Sequence, residues 1–216
     1  MPDTIKSKIT GFFTQYPLRT FDKRQLLIRA ESPVDYVFYI VEGRVSQYDI
    51  TRSGNEVVVN VFKPGAFFPM SSAINKTPNH YFFEASIETV AHTIPIADAV
   101  QFVKDNPDIQ FDLLARVYRG TDGILRRMAH LMGGDAKTRL VFELLNAAYR
   151  FGDQHTDNSI VIRLSESDLG RHSGLARETI SRLMQSLKAD GLIEIGPHGI
   201  VLKDIRRLEA QLGDTV

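Results

Sequence analysis

The chain has 216 residues, 43% of them hydrophobic and 24% charged, which is the composition of one or two soluble globular domains with ordinary cores. It has 26 basic and 26 acidic side chains, so the formal charge is zero and any surface for nucleic acid must be a local patch. Cysteine is absent, which excludes disulfides, cysteine-ligated iron–sulfur clusters and thiolate catalysis and makes a reducing cytoplasm the expected location.

Met1 to Thr20 lacks the apolar core of a secretory signal, and no run of about 18 apolar residues crosses a membrane, so no membrane partner is expected. From Leu26 to about Ile96 the pattern is short, β-rich and punctuated. Leu26–Ile28, Tyr36–Val41, Arg44–Ile50, Glu56–Phe62 and Tyr81–Ile87 are rich in β-branched and aromatic residues. Ser32-Pro33, Glu42-Gly43, Ser53-Gly54-Asn55 and Lys63-Pro64-Gly65 separate them as turns. Many short strands at this spacing predict a barrel or sandwich.

After Asn106-Pro107 the period becomes helical. Leu114, Val117, Thr121, Ile124, Met128 and Leu131 recur at alternating steps of three and four, a heptad seam with one polar member. Such a seam suits an amphipathic helix packed on its own domain or a coiled-coil dimer. The second reading is favoured, because the seam outlasts an average helix and lies between two domains. Gly133-Gly134 stops the helix, and Asp135 is an N-cap for another over 136–151. These breaks divide the chain into a β domain over 1–106, a central helix and hinge over 107–134, and a C-terminal domain over 135–216. A polar loop, 152–159, leads to a short strand over 160–163.

Ser165 precedes an acidic first turn and predicts a helix to about Arg171. His172-Ser173-Gly174 makes a tight turn, and a second helix runs from about Ala176 to Asp190, with Ile180, Leu183, Met184 and Leu187 facing inward. Gly191 ends it. Strands 192–195 and 200–202 flank a turn at Gly196-Pro197-His198-Gly199. Two helices, a glycine turn and a hairpin make a winged helix-turn-helix. The second helix exposes Arg177, Glu178, Ser181 and Arg182. Arginine can donate a bidentate pair to guanine, and glutamate can accept from cytosine. Arg171, Arg163 and Lys188 flank this face as phosphate contacts, and Ser173 joins the DNA-contacting set from the turn.

These residues resemble the cyclic-AMP receptor protein/fumarate–nitrate reduction regulator (Crp/Fnr) superfamily, over about 21–208. Arg177-Glu178-Thr179-Ile180-Ser181-Arg182 is the most specific piece and looks like that family's recognition helix. Tyr39 to Gly43, Pro64-Gly65, Asn106-Pro107-Asp108-Ile109 and Asp135 are weaker matches. The family's Lys-Gly-Gln motif stands here as Lys23-Arg24-Gln25, without its turn glycine. The resemblance implies an α+β architecture: a cyclic-nucleotide-binding-like β-roll, a long central dimerisation helix and a C-terminal winged helix-turn-helix. It further implies a homodimeric transcription regulator of double-stranded DNA, with an inverted-repeat operator containing a T-G-A core and RNA polymerase as a candidate partner.

The resemblance breaks down where cyclic-AMP binders grip their ligand. Their Gly-Glu pair is Pro69-Met70 here, their phosphate-holding Arg-Ser pair aligns with Asn79-His80, and the Thr-Ser pair that meets adenine with Ile124-Leu125. A buried phosphate without its arginine is heavily penalised, so cyclic AMP is not expected as effector. Phe67, Phe68, Met70, His80, Tyr81, Ile124 and Leu125 either fill the space as core or line a reshaped pocket for another small molecule. The six histidines are scattered, without metal spacing, and a surface or hydrogen-bonded role is expected even for His80, although some relatives bind haem through histidine. No nucleophile–base constellation is visible, so neither a cofactor nor an enzymatic activity is expected.

Overall fold

The computed structural model describes residues 3–155, 158–197 and 199–212. The chain forms two compact units, Met1–Gly120 and Thr121–Val216.

The first unit opens with α1 (Asp3–Phe13), followed by strands β1 (Leu18–Phe21), β2 (Leu26–Ile28), β3 (Tyr36–Glu42), β4 (Val45–Ile50), β5 (Glu56–Phe62) and β6 (Phe67–Phe68). Then come α2 (Met70–Asn75), β7 (Phe82–Ala85), β8 (Thr89–Pro95), α3 (Ile96–Lys104) and α4 (Pro107–Gly133). The strands form two antiparallel sheets, ordered β1-β8-β3-β6 and β2-β7-β4-β5. β3 shows why the sheets close on each other. Successive strand side chains point to opposite faces. Phe38 and Ile40 meet Val45, Phe83 and Ala85 of the other sheet in the roll interior. Val37 and Tyr39 face the other way, onto Ile9 and Phe13 of α1 and Ala99 and Val103 of α3. β3 is therefore buried on both faces, which is why it reads as an almost continuous apolar run.

Two backbone positions bear on the turns. A Cβ at Gly43 (φ +95°) would lie 2.5 Å from the Glu88 carbonyl oxygen, so glycine is required between β3 and β4. Arg24, where the family has glycine, adopts φ +73°, and its guanidinium lies 3.1 Å from Glu84. That conformation costs a side-chain-bearing residue about 1–2 kcal/mol.

The second unit takes the C-terminal part of α4, then α5 (Ala136–Phe151), β9 (Asp153–Gln154), β10 (Ile160–Ile162), α6 (Glu166–Ser173), α7 (Arg177–Ala189), β11 (Ile193–Gly196), β12 (Gly199–Leu202) and α8 (Ile205–Ala210). The sheet order is β11-β12-β10-β9. Leu140, Val141 and Leu144 of α5, Leu169 of α6, Ile180, Met184 and Leu187 of α7, Ile200 and Leu202 of the hairpin and Leu208 of α8 make one core. Gly199 (φ +134°) lets the hairpin close, because a Cβ there would stand 2.3 Å from the Ile162 carbonyl oxygen.

α5 has the expected bounds, and α4, α6 and α7 shift by one or two residues. α1, β1, β6, α2, β8, α3 and α8 were not anticipated individually, nor was β9 within the expected loop at 152–159. The two units part inside α4, after Gly120. The expected turn at 196–199 contains His198, and the expected loop at 152–159 contains Thr156 and Asp157; these three lie outside the described residues.

Candidate nucleic-acid interface

The helix-turn-helix is held by local chemistry. Ser165 and Asp168 form a reciprocal capping box: the Ser165 hydroxyl accepts from the Asp168 amide at 3.1 Å, and an Asp168 carboxylate oxygen accepts from the Ser165 amide at 3.0 Å. Gly174 (φ +69°) ends α6 in the left-handed conformation and turns the chain into α7. On α7, Ile180, Met184 and Leu187 are buried at helical spacing, so the opposite face points outward. Arg177, Glu178 and Arg182 are exposed there, and Ser181 is half-buried. The structure thus places the four expected reading residues on one helix, three of them in solvent.

Two expected DNA contacts are less open than the exposed residues on α7. Ser173 is 1% exposed at the end of α6, and its hydroxyl donates to the Leu169 carbonyl at 2.7 Å, so its side chain is engaged inside the helix-turn-helix. A serine hydroxyl within a helix can bond back to the carbonyl four residues earlier. Arg171 is half-buried, with Nε and Nη2 shielded from solvent, unlike the exposed Arg177 and Arg182. Arg163 is exposed and pairs with Asp153 at 3.0 Å, and Lys188 is exposed. In the wing, Lys203 meets Glu194 at 2.6 Å and holds that carboxyl below its usual range.

Most of the seam residues on α4 are open. Leu114, Val117, Thr121, Ile124 and Met128 are exposed, Ile124 at 49%, and Leu131 is half-buried. Sequence reasoning missed a second stripe. Phe111 (74% exposed), Tyr118, Leu125 and Met132 (81%) recur every seven residues beside the seam. Their heptad spacing was the available signal.

The effector-pocket candidates of the first unit are divided between its two cores and its surface. Phe67 and Phe68 are neighbours on β6 and so face opposite sides of the sheet. Phe68 stacks on Phe83 at 5.1 Å inside the roll. Phe67 and Met70 belong to the helix-side core, where the Arg116 guanidinium lies 5.6 Å from the Phe67 ring. Arg116 also donates to the Gly65 carbonyl at 2.9 Å and to Asp112 at 2.7 Å. His80 is exposed and contacts Glu31 at 2.7 Å, and Tyr81 is exposed. Ile124 and Leu125 are exposed on α4. A cavity of 510 Å³ in the first unit is lined instead by Glu31, Val34, Ala73, Lys76, Asn79 and Ile96, among others.

Sequence reasoning also missed a buried charge cluster. Glu143 of α5, 1% exposed, accepts from Arg127 Nε of α4 at 2.6 Å. Arg127 Nη2 donates to the backbone carbonyl of His172 on α6. The His172 ring nitrogen Nδ1 stands 3.7 Å from the other Glu143 oxygen. Burial pushes the Glu143 carboxyl up, but His172 and Arg127 together hold it below its usual range. These residues are far apart in sequence, and no local pattern joins them.

Known proteins place this geometry. Residues 18–106 match the cyclic nucleotide-binding domain, and residues 138–211 the Crp-like helix-turn-helix domain. The global nitrogen regulator of Nostoc sp. is 24% identical over 202 residues, covering 90% of this chain and 88% of that protein. The cAMP-activated global transcriptional regulator CRP of Pasteurella multocida is 22% identical over 204 residues, covering 94% and 98%. Among solved structures, the c-di-GMP responsive global regulator CLP of Xanthomonas campestris superposes with a TM-score of 0.81 at 20% identity, covering 92% of this chain and 99% of that one. With a cyclic nucleotide-binding domain matched ahead of a Crp-like helix-turn-helix domain, and regulators of this type aligned over most of its length, the chain belongs to the Crp/Fnr superfamily of DNA-binding transcription regulators.

Proposed function

We propose that the protein acts in the cytoplasm as a homodimer that reads an inverted-repeat operator through α7, with no enzymatic activity of its own and without cyclic AMP as its effector. The observation that carries the reading is the exposed pair Glu178 and Arg182, one helical turn apart and backed by buried Ile180 and Met184. Such a pair can hold one G·C base pair, with Arg182 donating to guanine and Glu178 accepting from cytosine. Ala176 gives α7 no side-chain cap, so the amides of its first turn are available to a DNA phosphate.

The dimer reading rests on the exposed seam of α4 and its flanking stripe, since an apolar strip of this length is ordinarily covered by a partner. Two copies related by a two-fold axis would present recognition helices to half-sites about 34 Å apart. The exclusion of cyclic AMP is supported by the residues at its expected anchors. Asn79 is buried and donates to the Tyr81 carbonyl at 2.6 Å, which engages its side chain in its own loop. Pro69-Met70 offers no carboxylate where the family grips ribose. A different small-molecule effector and RNA polymerase remain the candidate partners of the N-terminal unit and the assembled dimer.

Random-site selection tests the reading. The parent should enrich an inverted repeat with a T-G-A core. Arg182→Ala should lose about 1–3 kcal/mol per half-site and relax preference at the G·C pair. Selection of no palindrome by the parent, or unchanged preference in Arg182→Ala, would overturn it.

A further inference from the structure

The helix-turn-helix is tied to the central helix by a buried ionic cluster rather than by apolar packing alone. Glu143 gathers two groups from different helices onto one carboxylate. Arg127 arrives from α4, with Nε on Glu143 Oε1 at 2.6 Å, and His172 from α6, with Nδ1 3.7 Å from Oε2. Arg127 then extends past the carboxylate to the His172 backbone carbonyl, in the last turn of α6. That carbonyl lies at the negative end of the helix, two residues before the Gly174 turn that launches α7. A planar, forked guanidinium offers the carboxylate and the carbonyl separate N–H groups in a fixed geometry, whereas the three donors of an ammonium share one atom on a flexible stem. Arg150 of α5 adds a further positive charge, felt by both Arg127 and Glu143. The compact C-terminal unit begins at Thr121, so it already includes the segment of α4 that carries Arg127.

We propose that Arg127 and Glu143 are positioning residues for DNA recognition. Arg127, anchored on Glu143, fixes the end of α6 and with it the turn that aims α7, so the C-terminal third of α4 is part of the reading head although none of it meets a base. This inference rests on the reading of α7 as the recognition helix.

Buried ion pairs often contribute little net stability, and replacing both partners by apolar residues of similar size is commonly neutral or stabilising, whereas removing one partner strands a buried charge. This separates positioning from folding. Anisotropy titrations would compare full-length parent, Arg127→Met, Arg127→Lys and the double variant Arg127→Met/Glu143→Leu, on the duplex selected by the parent and on a scrambled duplex, with thermal melts of each protein. The double variant is expected to melt at or above the parent. It should still bind the selected duplex at least about tenfold more weakly, a typical size for coupling through packed elements, with scrambled-duplex affinity unchanged. Arg127→Lys is expected to fold and to lose part of the operator preference. Parent-like preference in both the double variant and Arg127→Lys would overturn the proposal and leave the cluster a matter of stability. A parent that selects no duplex would instead overturn the reading of α7, so the two failures are distinct.

Discussion

Asp135 and Thr138 fasten the first turn of α5 twice over: Asp135 Oδ1 accepts from the Thr138 amide at 2.8 Å and from the Thr138 hydroxyl at 2.9 Å. The cap sits directly after the Gly133-Gly134 break and so decides where α5 begins. Asp135→Ala should lower unfolding free energy by about 1 kcal/mol, the usual worth of an N-cap. The two Thr138 hydrogen bonds, the amide first, also hold the Asp135 carboxyl below the ordinary 3.8. A depressed folded-state value stabilises above the unfolded value, and that contribution is lost as pH falls through the folded one. The gap in thermal midpoint between parent and Asp135→Ala should therefore be full at neutral pH and shrink below about pH 4. Melts from pH 7 to pH 3 check this; a gap independent of pH would contradict it.

Ser173 separates structural serines from DNA-contacting ones. Its hydroxyl donates to the Leu169 carbonyl and lies 3.4 Å from the Leu175 amide, which it accepts. Ser173→Ala should cost about 1 kcal/mol of stability, the net worth of a buried hydrogen bond. Operator affinity measured well below the melting transition, and its salt slope, should match the parent. A reduced salt slope would return Ser173 to the phosphate-contacting set.

Ile124 lies mid-seam on α4 and is half open to solvent. An aspartate there would bury an unpaired charge in a coiled-coil interface, at a cost of several kcal/mol. Sedimentation at micromolar concentration should give a dimer for the parent and a monomer for Ile124→Asp. A monomeric parent would remove the dimer from the proposed function.

Pro69-Met70 and the engaged Asn79 stand where the resemblance places the anchors of cyclic-AMP binders. Calorimetry should show no saturable binding in the low-micromolar range. Micromolar binding that also raised operator affinity would reinstate the nucleotide as effector.

What could be read along the chain was whatever depends on neighbours in sequence. Asp135 and Gly152 bound α5, Ser165 and Gly174 bound α6, and the apolar spacing of Ile180, Met184 and Leu187 sets the inward face of α7. Caps, turns and helical periodicity act over three or four residues, so the helix-turn-helix was legible before any fold was known. The β-roll was legible only as a class. Which strands pair, and that β1 and β8 close one sheet, depends on contacts across the whole domain. The same distance limit explains what the sequence left open at Phe67 and Phe68 and what it did not show at Ser173. Phe67 and Phe68 read as one aromatic patch, yet a strand turns adjacent side chains to opposite faces, and tertiary packing filled both sides. Ser173 read as an exposed turn residue, yet the docking of α6 against α5 and α7 buried it. Arg127, Glu143 and His172 stand 16 and 45 residues apart along the connections that join them. Only folding brings three helices close enough for one carboxylate to collect an arginine and a histidine, because a hydrogen bond acts over about 3 Å and carries no trace in the sequence between its ends.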